Sequence, residues 1–252
     1  MKEIQLIMGM PITIEVVDPG VTQDLFNIVF DYFREVDAQF STYKETSEIS
    51  RINRGEIQES EYSEKMKEVL RLCEQTKKET NGYFDIHTPS GKLETSGLVK
   101  GWAIQNAANL IKEHGWKNYY VEAGGDIQFS GKNSQGEVWN VGIQNPFSQD
   151  KEIVKIVYLD NCGIATSGTY IRGQHIYNPH EKNTVLTEVA SLTVIGPNVY
   201  EADRFATAAF AMGRKGIHFI EQLDGFEGYS IDENGIATMT NGFEKYTQKP
   251  IL

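Results

Sequence analysis

Asp203 and Thr207 stand four residues apart in the stretch 202–213, which reads ADRFATAAFAMG. On a helix they lie one turn apart on the same face, so a carboxylate and a hydroxyl oxygen point the same way. Two oxygen donors in that relation make half of a site for a hard cation. The opposite face offers Ala202, Ala206, Ala209 and Gly213, small residues that let another backbone approach closely. The same pattern has a plainer reading, because an acid in a helix's first turn is favoured by the positive end of the helix and needs no further task. The stretch alone leaves both readings open.

Other groups suited to binding an anion occur elsewhere in the chain. Gly97 and Gly101 flank Lys100 just before a helical pattern over 102–114. Glycines at a helix start let backbone N–H groups reach a phosphate, and a lysine beside them adds positive charge. The spacing is not that of a Walker loop. Gly124-Gly125-Asp126 breaks an apolar run over 119–127, either as a tight turn or as cleared space for a ligand. Thr166-Ser167-Gly168 reads as a corner able to present N–H and hydroxyl donors to an oxyanion. His175 follows within ten residues of it. In FSTYKETSEISRINRG, Ser41, Thr42, Ser47 and Ser50 crowd around Tyr43 and Arg51. That segment is either a ligand-facing loop with Tyr43 as a stacking platform or a serine-rich turn capping the next helix.

The elements that must carry these groups alternate between the two periodicities. Residues 4–17 read as a strand interrupted by Gly9 and Pro11, and 21–38 carry a helical pattern in Leu25, Ile28, Val29, Phe33 and Val36. A strand followed by a helix is the expected opening of an α+β unit. A second amphipathic helix over 62–80 stops at Asn81-Gly82. Strands are expected over 139–143, 153–159 and 189–195, with short strand-like runs at 228–231 and 235–239. No internal repeat or Pro-rich linker divides the sequence, which predicts one domain over 1–252.

The chain has 252 residues, 40% hydrophobic, 11% aromatic and 23% charged, an ordinary globular composition with material for a sizeable core. Its net charge of -11 argues against a broad nucleic-acid surface, which needs clustered Lys and Arg. Cys73 and Cys162 lack CxxC spacing, so buried thiols are expected rather than a zinc site or a disulfide framework. No run approaches the ~18 apolar residues of a membrane span. The first residues alternate like a strand instead of forming a signal-type core, which predicts a cytoplasmic location.

Taken together and in order, Met8-Gly9, FSTYKETSEISRIN, GYFD, GLVKGWA, AGGD, ATSGTYIR with HI and P after it, and ADRFAT resemble the ApbE family of FAD:protein FMN transferases. The resemblance runs over most of the chain. It implies an α+β fold of mixed, largely antiparallel sheets packed with helices, with FAD in a cleft. It implies Mg2+-dependent attack by a threonine hydroxyl of a partner protein on the pyrophosphate of FAD, so that FMN is transferred and AMP leaves. The acceptor implied is a flavin-carrying redox protein. The family's motifs assign FAD contacts to Met8, Tyr43, Tyr83, Phe84, Asp85, Ser96, Lys100, Trp102, Gly124, Gly125, Asp126, Thr166, Ser167, Gly168 and Ile176. The metal falls to the backbone carbonyl of Val99 with the side chains of Asp203 and Thr207, and His175 becomes the base for the incoming threonine. This chain departs from the family pattern at Gln105 and Asn178, where Asp is usual, and at Glu94, where Asp is common. Two alternatives therefore stand beside transfer: a metal-dependent FAD hydrolase giving FMN and AMP, and a non-catalytic FAD-binding protein.

Overall fold

The computed structural model describes residues 1–88, 90–150, 152–168, 177–181 and 186–249. The expected first strand is a hairpin, β1 (Lys2–Ile7) and β2 (Met10–Val16), because Met8 and Gly9 both take positive φ and reverse the chain before Pro11. Helices α1 (Gln23–Phe40), α2 (Glu48–Asn53), α3 (Glu64–Glu79) and α4 (Ser96–Glu113) follow. Next come strands β3 (Tyr119–Ala123), β4 (Asp126–Ser130), β5 (Trp139–Gln144), β6 (Ile153–Leu159), β7 (Gly163–Gly168) and β8 (Val189–Gly196). Helices α5 (Val199–Ala211) and α6 (Gly216–Glu221) precede strands β9 (Glu227–Asp232) and β10 (Ala237–Met239).

Among the described residues, eight strands form one sheet in the order β1-β2-β3-β4-β7-β8-β9-β10, antiparallel at every pairing, while β5 and β6 pair only with each other. Alternation along the strands sends successive side chains to opposite faces. Thus Ile12, Ile14 and Val121 pack with Phe26, Phe30 and Phe33 of α1 and with Leu98 and Ile104 of α4. Ala165, Leu192 and Val194 meet Ala202, Ala206 and Ala209 of α5 on the same side. Ile164 and Ile195, each one residue out of phase, face the other way and pack with Val157 and Leu159 of the β5–β6 arm. The result is three layers: helices, the large sheet, and the arm.

Small residues matter at two packing points. The alanine face of α5 lets that helix lie close to β7 and β8, and Gly163 of β7 sits against the α5 backbone at Val199, where a Cβ would have no room. The serine-rich segment is a helix cap: Ser47 is fully buried, its Oγ accepts from Ser50 N at 3.2 Å and donates to the Ser41 carbonyl at 2.7 Å. Ser47→Ala is expected to cost about 1 kcal/mol through loss of the cap. Thermal denaturation would show this as a Tm lower by about 3 °C.

Candidate functional site

A cleft of about 750 Å3 opens where five features converge: the first turn of α4, the mid-part of α5, the β1–β2 turn, the β3–β4 turn and the end of β7. Its volume lies in the range of ligand sites that are already formed before binding. Asp203 and Thr207 of α5 both line it, with Ser96, Gly97 and Lys100 of α4 across from them.

Two glycines bring the helices this close. Gly97 and Gly101, four residues apart, form a bare stripe on α4. A Cβ at Gly101 would stand 2.6 Å from Asp203 Cβ and 2.9 Å from the Val199 carbonyl oxygen, and one at Gly97 would stand 3.1 Å from Thr207 Cγ2. With no Cβ in the way, Gly101 N donates to Asp203 Oδ2 at 2.8 Å, and Thr207 Oγ1 donates to the Gly97 carbonyl at 3.3 Å. The sequence pattern reads these glycines as openings for a phosphate before a helix at 102. In the structure α4 begins at Ser96, so Gly97, Lys100 and Gly101 are helical and the glycines admit α5. Asp203 likewise falls in the second turn of α5, and the first-turn acid is Glu201.

Lys100 Nζ bridges two buried carboxylates, pairing with Asp126 Oδ2 and lying 3.4 Å from Asp203 Oδ1. Asp126 also accepts from Thr166 N at 3.0 Å through Oδ1, which ties the β3–β4 turn to β7. Burial lifts the Asp203 carboxyl well above the usual carboxylate range; Lys100 and the Gly101 N–H oppose this, and the neighbouring Asp126 charge reinforces it. Nearby, Arg204 is buried and pairs with Glu79 and Glu201, fixing α5 against the end of α3.

The remaining walls come from loops. Tyr83, Phe84, Asp85, Gly124, Gly125, Thr166, Ser167 and Gly168 line the cleft together with Gly9, Met10, Pro11 and Glu122. Thr166, Ser167 and Gly168 belong to strand β7 rather than to a corner, since cross-strand pairing with β8 outweighs their turn-like composition. Asp85 is held by Lys77 at 2.8 Å and by the His87 backbone at 2.9 Å; although burial works against it, these partners keep its carboxyl below its ordinary range. Glu94, also in the wall, accepts from Ser96 N and from Thr42 Oγ1, both at 3.0 Å.

Five residues expected at the ligand, Met8, Tyr43, Val99, Trp102 and the Lys100-paired Asp126, do not line the cleft. Met8 sits in the β1–β2 turn beside the lining residues Gly9 to Pro11. Tyr43 is 97% exposed on the loop before α2 and outside the cleft wall. Trp102 points from α4 into the core, edge-on to Phe40 at a ring distance of 5.7 Å, and donates to Glu68 at 3.2 Å. Val99 is buried on α4 and does not line the cleft; the carbonyl that Thr207 meets is that of Gly97. His175 and Ile176 lie outside the described residues. Tyr177 and Pro179 do line the cleft, with Tyr177 Oη donating to the His87 carbonyl at 2.6 Å. Asn178 forms a side-chain turn, accepting from His180 N at 3.0 Å, a bond that a carboxylate in its place would also accept. Gln105, further along α4, donates to Asn109 at 3.0 Å and is not in the wall.

One whole wall is not legible in the sequence: Gln144, Asn145, Pro146, Phe147, Ser148 and Gln149, from the end of β5 and the β5–β6 connection. Its signal was a Pro-Phe pair in an otherwise polar loop. No helix among the described residues is long and apolar enough to cross a membrane.

Comparison with known proteins gives a consistent picture. A Vibrio cholerae FAD:protein FMN transferase is 29% identical over 175 residues, covering 65% of this chain and 51% of the relative. The Buchnera aphidicola protein of the same description is 31% identical over 140 residues, covering 52% of this chain and 40% of the relative. The chain spans about half the length of the curated relatives it matches. Among solved structures, the flavin transferase ApbE from Vibrio cholerae superposes with a TM-score of 0.84 at 24% identity, covering 98% of each chain. The ApbE protein from Thermotoga maritima gives 0.87 at 19% identity, covering 99% of each, and both likenesses speak to the fold. The family model described as the ApbE family matches residues 8–92 and 87–230, and by that match the chain belongs to the ApbE family.

Proposed function

We propose that this chain transfers the FMN part of FAD to a threonine hydroxyl of a partner protein and releases AMP. The observation that carries the reading is the pairing of Asp203 and Thr207 with the glycine stripe of α4 at the wall of a dinucleotide-sized cleft. The relatives named for this activity support it. In the reaction the threonine Oγ forms a bond to the FMN phosphorus, the bridging bond to the AMP phosphate breaks, and AMP leaves with that electron pair. The hydroxyl proton passes to a base, for which His175 is the proposed residue, an imidazole being able to exchange a proton near neutral pH.

The ligands proposed here, a carboxylate, a hydroxyl and a main-chain carbonyl, are all oxygens, which suits Mg2+. The Asp203 carboxylate and Thr207 Oγ1 would hold the ion with a main-chain carbonyl of the first α4 turn, either that of Val99, as the family motif implies, or that of Gly97. A bound Mg2+ supplies neutralisation of the charge that builds on the pyrophosphate. The chain's own contribution is position. Lys100 keeps the Asp126 and Asp203 carboxylates from repelling each other, and Ser167 and Gly168 at the end of β7 line the same wall.

Incubating the protein with FAD and Mg2+, with and without a threonine-bearing acceptor protein, tests the reading. The expected result is AMP release that depends on acceptor, with FMN carried covalently on the acceptor in the mass spectrum. AMP and free FMN at the same rate without acceptor would establish hydrolysis instead, and tight FAD binding without AMP under any metal would establish a binding protein.

A further inference from the structure

The β5–β6 arm presents one aromatic ring to the cleft. Phe147 lines the cavity and is 55% exposed, whereas Phe84, the other phenylalanine of the wall, is 3% exposed and belongs to the core. An apolar ring left largely in water inside a cavity has a large area to gain from a ligand.

The loop around Phe147 is pinned rather than loose. Asn145 Oδ1 accepts from Phe147 N at 3.1 Å, and the Asn145 carbonyl accepts from Ser148 N at 3.2 Å. Asn145 N donates to the Glu152 carbonyl at 2.7 Å, and its Nδ2 donates to the Glu152 carboxylate at 2.8 Å. These bonds close the connection across the hairpin mouth, just after the β-bulge at Ile143/Gln144. A ring carried on such a loop loses little freedom when something flat settles on it.

We infer that Phe147 is a stacking platform for one of the two flat heteroaromatic ring systems of the bound dinucleotide. The inference rests on the FAD reading above. The cleft that holds Asp203 and Thr207 is lined by Tyr83, Asp85, Thr88 and Glu94 from the α3–α4 connection and by the arm's residues Gln144 to Gln149. A dinucleotide whose pyrophosphate is held at Asp203 and Thr207 carries a flat ring at each end, and Phe147 is the aromatic side chain that the arm contributes to the wall. Flavin and adenine share the face-on chemistry this needs, so the experiment separates them.

The test measures the affinities of FAD, FMN and ADP for the wild type and for Phe147→Ala, Phe147→Leu and Phe147→Tyr, with Tm recorded for each. The expected result for Phe147→Ala is unchanged Tm, FAD binding weakened by about 10-fold, as loss of one stacked ring predicts, and a like loss for FMN or for ADP but not for both. Phe147→Tyr restores binding and Phe147→Leu does not. Loss confined to FMN puts the flavin on Phe147, and loss confined to ADP puts the adenine there. Affinities unchanged in Phe147→Ala, or full binding by Phe147→Leu, would overturn the stacking role while leaving the transferase reading intact. Normal stacking behaviour with no AMP release would do the reverse, and a wild type that binds no FAD would remove both.

Discussion

Asp203→Ala is expected to abolish the proposed FMN transfer and AMP release, with a loss of at least about 10³-fold, the rate equivalent of several kcal/mol of charge stabilisation at the pyrophosphate. The carboxylate has two jobs at the cleft wall: one oxygen accepts from Gly101 N at 2.8 Å, and the other lies 3.4 Å from Lys100 Nζ. Truncation removes the proposed anionic ligand and also frees Lys100 to swing wholly onto Asp126. Asp203→Asn separates these effects, because it keeps an acceptor for Gly101 N and lacks only the charge. Both variants are expected to be inactive across a Mg2+ titration; an Asp203→Asn protein with wild-type kcat would sink the metal assignment.

The same substitution should not cost stability. A carboxyl whose pKa is higher in the folded than in the unfolded chain favours folding while protonated, and that contribution is lost as pH rises through the folded value. Asp203 is shifted in this direction, chiefly by burial. In metal-free buffer, Asp203→Asn is therefore expected to match the wild type in Tm at acid pH and to exceed it progressively as pH rises out of the ordinary carboxylate range. Thermal melts over a pH series check this. A wild type that gains on the variant with rising pH would show that Lys100, not burial, controls the group.

How much of this site could be read from the chain follows the range of the interactions. Asp203 and Thr207 share a face by helical periodicity alone, and Ala202, Ala206 and Ala209 mark a close-packed face, so both features are visible locally. The partners of Lys100 are not, because Asp126 arrives on a different element through the β3–β4 turn. The sequence pattern starts α4 too late because Gly97 and Gly101 weaken intrinsic helix propensity; packing against α5 overrides that preference. Thr166-Ser167-Gly168 carries turn composition, yet its backbone is committed to the sheet by β8 and by Asp126. Phe147 was invisible for a related reason: the fate of a loop residue depends on β5 and β6 leaving the main sheet, and neither strand encodes that in its alternation.

Gly101→Val is expected to be the most damaging single change at the helix pair. A Cβ at this position already meets Asp203 Cβ at 2.6 Å and the Val199 carbonyl oxygen at 2.9 Å, and one of these is backbone that cannot turn aside. Valine adds two methyl groups to that collision and pushes Asp203 off Gly101 N. Overpacking of about 3 kcal/mol together with loss of a hydrogen bond to a carboxylate, about 1.5 kcal/mol, gives a fall in Tm of about 13 °C. Gly97→Ala provides the contrast on the same stripe. Its Cβ meets the methyl of Thr207 at 3.1 Å, a contact that a small shift relieves, and alanine gains about 1 kcal/mol of helix propensity over glycine. Near-wild-type stability is expected there, with any loss confined to activity through Thr207. Gly101→Ala should fall between the two. If Gly101→Val and Gly97→Ala melted alike, the close approach of α4 and α5 would not be what holds Asp203 at the cleft wall.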